Sequence, residues 1–154
     1  MFTGNLVYED RPLVDAWVKA VIGGVLALTL VLGIVFFTLD PVAAYILLGV
    51  TAFDALIFYL VLPRRYQIYT DRLVVRLGRP LSLTVPFSEI KEIKRGASSR
   101  ASGAAALRLV TSSKYVVEIV RRGDLRILIS PAGRDLFVEQ LDQAVKTSPE
   151  HELY

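Results

Sequence analysis

The sequence contains no cysteine and a single histidine, His151. A disulfide framework and a thiolate metal site are therefore excluded as sources of stability or chemistry. Also missing are a glycine-rich phosphate loop followed by Lys-Ser/Thr and any carboxylate pair whose place in a shared pocket can be argued. Glu89 and Glu92 lie at surface spacing beside Lys91 and Arg95, which reads as charge balance. No catalytic, cofactor-binding or metal-ligating residue can be named, and the expectation is a protein that is not an enzyme. Nucleic-acid binding is disfavoured too, because a modest basic excess without aromatic interleaving makes no recognition surface.

Charge is scarce in the first 63 positions, where Arg11 and Lys19 stand against Glu9, Asp10, Asp15, Asp40 and Asp54. From Arg64 onward there are 16 Lys or Arg and 10 Asp or Glu, so the basic character belongs to the second part. Two apolar stretches, Ala20 to Leu39 and Val42 to Leu62, are separated only by Asp40-Pro41. About 20 residues at roughly 1.5 Å rise each span a hydrocarbon core of roughly 30 Å, so each stretch can cross a bilayer once. The first is too long for a signal-peptide core, follows a net acidic segment and lacks a small-x-small cleavage site, so it reads as a permanent anchor.

Two helices joined by so short a turn must run antiparallel, and Pro41 suits the first turn of the second because its missing N–H is not needed there. Arg64 and Arg65 follow the second stretch, Arg11 and Lys19 precede the first, and the turn holds no basic residue. The positive-inside bias then puts both termini in the cytoplasm, with the hairpin in the cell (inner) membrane. Trp17, Tyr59 and Tyr66 fall near that boundary, where amphipathic rings prefer to lie. Ala16, Ala20, Gly24 and Ala27 offer a ridge of small side chains on which the second helix can pack. Asp54 is the one acidic residue well inside a span, where it costs roughly 2.5 to 3.5 kcal/mol and so calls for a partner. Thr51 lies one turn away and Thr29 nearly opposite. The carboxyl either fixes helix packing, contacts another subunit or partner, or has a proton-linked role.

After Arg64 the apolar pattern alternates. Residues 66–70, 73–77, 107–111, 115–119 and 125–129 each set apolar side chains at period two, and shorter strands fit 81–86 and 90–95. Turn compositions separate them at Thr70-Asp71, Gly78-Arg79-Pro80, Gly96 to Ala106, Ser112 to Lys114 and Arg122-Gly123-Asp124. A helix should follow, with Ser130 as N-cap, Pro131 at its first position, an apolar stripe of Leu136, Phe137, Leu141, Ala144 and Val145, and Pro149 as the stop. The predicted class is an α+β membrane protein: an N-terminal cytoplasmic segment (1–17), a transmembrane helical hairpin (18–63), a seven-stranded antiparallel sandwich or barrel closed by a C-terminal helix (64–147), and a polar tail (148–154).

Tyr66-Gln67-Ile68-Tyr69-Thr70-Asp71-Arg72-Leu73 running into Val74-Val75-Arg76-Leu77-Gly78, then Val85-Pro86-Phe87-Ser88-Glu89-Ile90-Lys91-Glu92-Ile93, then Ile127-Leu128-Ile129-Ser130-Pro131 with Phe137 and Leu141, give the chain a family likeness. Over residues 64 to 146 it resembles the bacterial pleckstrin-homology-like domains of small membrane proteins with two N-terminal spans. The resemblance implies the fold and says little about a ligand. Eukaryotic members that hold phosphoinositides use a dense basic cluster around the first hairpin loop, which the Thr70-Asp71 turn lacks, so that activity is not carried over.

The densest basic group is Lys91, Lys94, Arg95 and Arg100, to which Arg64 and Arg65 add two charges close to the second span. Near anionic headgroups each basic residue contributes on the order of 1 kcal/mol. Together they form either a lipid-facing set or an ordinary solvated face. The expected role is a non-catalytic accessory or assembly subunit of a membrane protein complex, its partner another membrane protein or a second copy. The alternative is a module that binds or senses anionic lipid at the inner leaflet.

Overall fold

The computed structural model describes residues 4–96, 106–123 and 125–148. The chain divides into two compact units, one comprising Val14–Leu62 and the other the residues up to Leu13 together with those from Pro63 on.

The first unit is a helical hairpin. Helix α1 runs Ala16–Phe36 and α2 runs Pro41–Val61, each long and apolar enough to cross a membrane. Asp40 caps α2: its Oδ1 accepts from the N–H groups of Val42 and Ala43 at 3.0 and 3.3 Å, with Pro41 at the first helical position as expected. A carboxylate there answers the unsatisfied N–H groups and the positive end of the helix dipole together. Only Gly33 of α1 and Ala44 of α2 are fully buried, so most of the apolar surface of this unit faces outward.

The second unit holds eight strands and a helix. Strands β1 (Leu6–Asp10), β2 (Arg65–Tyr69), β3 (Arg72–Arg76) and β4 (Ser82–Pro86) form an antiparallel sheet in that order. After a 3₁₀ turn at Phe87–Glu89 come β5 (Ile90–Arg95), β6 (Ala106–Leu109), β7 (Val117–Arg121) and β8 (Arg126–Ile129), forming a second sheet in the order β5-β7-β8-β6. Helix α3 (Arg134–Thr147) packs on β1, β2 and β5. All seven strands expected from the alternation are present. The eighth, β1, comes from the segment ahead of the hairpin, which had been expected to stand apart from the sheet.

Strand β6 departs from the antiparallel expectation by pairing parallel with β8, Leu107 opposite Ile127 and Leu109 opposite Ile129. It thus sits at the sheet edge, and β5 pairs directly with β7. The expected strand through Thr111 stops at Leu109 because Thr111 gives its hydrogen bonds to Ser130 and Leu13.

Alternation explains the core. Tyr66 and Ile68 of β2, Leu73 and Val75 of β3, Val117 and Ile119 of β7, and Ile127 and Ile129 of β8 point inward and meet Phe137, Leu141 and Val145 of α3. Tyr66, expected at the membrane boundary, is fully buried and packs edge-on to Phe137 with centroids 5.9 Å apart. On α3, Leu136 is half exposed and Val138 takes the inward place, a shift that follows from where the helix starts. It begins at Arg134 with Gly133 as N-cap, not at Pro131, because Ser130 is held inside the fold and Pro131 bridges Pro12. Pro149 lies outside the described residues.

The central strands β7 and β8 of the second sheet are buried on both faces. Behind the main core Val116 and Leu128 form a smaller buried cluster with Ala106 and Val110 packed against it. On β7, Glu118 alternates with the core residues Val117 and Ile119 and is fully buried; Arg126 Nη1 donates to its Oε1 at 2.6 Å. Gly123, at φ +93° in the turn from β7 to β8, occupies backbone space that other residues enter at a cost.

Candidate functional site

Within the hairpin the helix contact follows a stripe that sequence reasoning did not choose. Val18, Ile22, Leu26, Thr29 and Gly33 are the shielded positions of α1, and Ala44, Leu47, Leu48, Thr51, Asp54 and Phe58 those along the facing side of α2. Ala16, Ala20, Gly24 and Ala27 are all exposed. They lie two positions ahead of Val18, Ile22, Leu26 and Thr29, a turn of roughly 200° about the helix axis. A Cβ built on Gly23 or Gly24 would meet nothing within 4 Å, whereas one on Gly33 would stand 3.0 Å from Leu48 Cδ2. The close approach that small residues permit is thus made at Gly33.

Thr29 and Thr51, singled out as neighbours of Asp54, lie against each other. The Thr51 hydroxyl lies 2.9 Å from that of Thr29, and each also lies against its own helix backbone, Thr29 on Val25 and Thr51 on Leu47. Such an interhelical bond contributes about 0.6 kcal/mol in a bilayer, enough to fix rotation but not to hold the pair alone. Asp54 lies one turn along the same side of α2, partly shielded, and has no hydrogen-bond partner among the described residues.

In the second unit the residues flanking the hairpin converge on one polar node. Glu9 and Asp10 of β1 sit opposite Gln67 and Tyr66 of β2, so the chain entering α1 and the chain leaving α2 are adjacent strands of one sheet. Beyond β1, the Leu13 N–H donates to Ser130 O at 2.9 Å and the Ala132 N–H to Arg11 O at 2.9 Å. The Thr111 hydroxyl donates to Leu13 O at 2.7 Å, the Thr111 N–H to Ser130 Oγ at 2.9 Å, and the Ser130 N–H to the Tyr66 hydroxyl at 3.4 Å. Asp10 Oδ2 accepts the N–H of Gly133, placing a carboxylate at the start of α3. Tyr8 adds an edge-on contact to Phe137 at 6.4 Å. None of these roles was assigned from the sequence; the available signal was Leu6-Val7-Tyr8, a strand-forming run between Gly4-Asn5 and Pro12.

Burial pushes the Tyr66 hydroxyl up to about 12, against the lowering effect of its Ser130 hydrogen bonds. An unfolded tyrosine ionises near pH 10, so between there and about pH 12 the unfolded chain has lost a proton that the folded chain keeps. Stability is complete below pH 10 and should fall by about 2 to 3 kcal/mol as pH rises through that window. Chemical-denaturation midpoints at pH 9 and 11.5 check this; Tyr66→Phe should flatten that part of the difference.

The cationic residues expected to meet lipid are divided between the sheets. Arg65 on β2 pairs with Glu9 at 2.9 Å, Lys94 on β5 with Glu92 at 3.0 Å, and Arg95 with Asp135 of α3 at 3.9 Å. Arg64 and Lys91 are exposed, and Arg100 lies outside the described residues. The Glu9 carboxyl also accepts from Gln67 Nε2 at 2.7 Å; that bond, with the Arg65 charge, holds Glu9 below the usual carboxylate range. A cleft of about 390 Å³ opens between β1 and α3, lined by Val7, Thr70, Gln140, Gln143, Ala144 and Thr147. It presents amides and apolar groups and no reactive pair. Among the described residues no group of three or more His, Asp or Glu side chains is placed to hold a metal ion.

Residues 64–145 match the family model for the bacterial PH domain, a span that covers β2 through most of α3 and leaves out β1 and the hairpin. No curated protein and no solved structure matches the chain significantly. With the matched segment exceeding half of the 154 residues, and folded as two sheets closed by a C-terminal helix, the chain belongs to the bacterial PH domain family.

Proposed function

We propose that this protein is a non-catalytic, membrane-anchored adaptor: an accessory or assembly subunit whose hairpin contacts another membrane protein or a second copy, with its PH-like unit in the cytoplasm. The observation that carries this reading is Asp54, a carboxyl on the helix-facing side of α2 without a hydrogen-bond partner among the described residues. In lipid an ionisable group of this kind is costly until it meets a partner group or water. The largely outward-facing apolar surface of the hairpin agrees with a bilayer environment. The pairing of β1 with β2 supports a common side for both ends of the hairpin, since strands of one sheet cannot lie across a membrane from each other. Arg64 and Arg65 support the cytoplasmic side.

Affinity purification of the intact protein from gently solubilised membranes, with mass spectrometry, tests the proposal. A stoichiometric partner or a defined homo-oligomer is expected, and Asp54→Leu should dissociate it while leaving the melting of the β-unit unchanged. An assembly of the same size and stability in Asp54→Leu would remove the intramembrane contact. A monomer that carries only anionic lipid would favour the lipid-binding alternative.

A further inference from the structure

Strands β2 and β3 place Arg65 directly opposite Arg76. Cβ atoms of such partners lie about 4.5 to 5.5 Å apart on one face, and like charges there repel unless an anion lies between them. The fold sets one beside Arg65, on β1, with an amide and not an anion linking it to Arg76. Glu9 of β1 accepts from Arg65 Nη1 at 2.9 Å and from Gln67 Nε2 at 2.7 Å, while Gln67 Oε1 accepts from Arg76 Nε at 3.0 Å. Glu9 thus pairs with Arg65 and reaches Arg76 only through the Gln67 amide, so the two guanidinium groups carry one positive charge beyond this carboxylate. The Arg65 side chain is 60% exposed, so its remaining N–H groups are open to a ligand.

We propose that Arg65, Gln67 and Arg76 form a binding site for the phosphodiester of an anionic lipid, with Glu9 as a built-in competitor that sets its affinity. Guanidinium pairs suit phosphate because each presents several donors in a fixed plane. A membrane lipid is the favoured source because Arg65 follows the end of α2 at Val61 by four residues, a tether of at most about 14 Å. The site stands at the end of the β2–β3 hairpin away from the Thr70-Asp71 turn. The inference rests on the membrane reading of the hairpin.

The test uses the full chain in detergent, probed by native mass spectrometry with short-chain phosphatidylglycerol, the matching phosphatidylcholine, and inorganic phosphate. The anionic lipid should be retained over the zwitterionic one by about fivefold, the factor one basic side chain near an anionic surface supplies. Arg76→Gln should bring the ratio near one and Glu9→Gln should raise it, opposite shifts that a folding defect cannot mimic. Equal ratios in the wild type and both variants would overturn the site while leaving the anchor intact. Displacement of the lipid by millimolar phosphate would overturn the lipid as ligand, and extraction of the protein without detergent would remove both the anchor and the site.

Discussion

Glu118→Ala should destabilise the β-unit by about 3 to 5 kcal/mol, the cost of removing one partner from a buried ion pair. Glu118 is fully buried, and the Arg126 side chain that donates to it is only 16% exposed. The two are diagonal neighbours on β7 and β8, since Glu118 pairs with Leu128 and Val120 with Arg126. Truncating the carboxylate takes an acceptor from a largely buried guanidinium. Glu118→Gln keeps an acceptor and should cost less. The double change Glu118→Leu with Arg126→Met should recover most of the loss, because apolar replacements of a buried pair are often neutral. Denaturation of the full-length protein in detergent, followed by far-UV circular dichroism, gives all three values. A loss below about 1 kcal/mol for Glu118→Ala would show that water reaches the pair.

Strand alternation from Tyr66 to Ile129 was legible because one face of each strand meets the core, and the two apolar runs were legible from length alone. The pairing of those strands was not. Nothing in the composition of 107–111 distinguishes a parallel edge strand from an antiparallel neighbour, or shows that the strand ends at Leu109, where the hydrogen bonds of Thr111 turn to Ser130 and Leu13. Ser130 and Pro131 carry a sound helix-start pattern, yet tertiary bonds claim both, and Gly133 with Asp10 takes over the start of α3. The helix ridge was misplaced because Gly24 and Gly33 are equally small; only the phase of α1 against Leu47 and Leu48 separates them. Thr29 and Thr51 were picked out as neighbours of Asp54, the first by counting back from the tight turn and the second by one helical turn; their bond to each other was not foreseen. The roles of Tyr8, Glu9, Asp10 and Leu13 depend on contacts across more than fifty residues of chain, beyond the reach of any local pattern.

Removing residues up to Asp10 from the otherwise intact chain should lower the stability of the β-unit by at least about 3 kcal/mol. The deletion strips the edge from β2, takes Tyr8 from the Phe137 ring and removes the Asp10 carboxylate from the start of α3. A capping carboxylate alone contributes about 0.5 to 2 kcal/mol, and loss of a large aromatic from a core edge a comparable amount or more. The bacterial PH unit of this protein is therefore discontinuous, its first strand lying ahead of the hairpin and the matched segment behind it. Hydrogen exchange, compared between the full-length and shortened proteins, tests that claim most directly. Amides of residues 66–68 and 137–141 should be strongly protected in the intact protein, together with those of 8–10 that bond to β2, and should exchange at least about a hundredfold faster after the deletion. Unprotected amides throughout 6–10 in the intact protein, with 66–68 indifferent to the deletion, would contradict it.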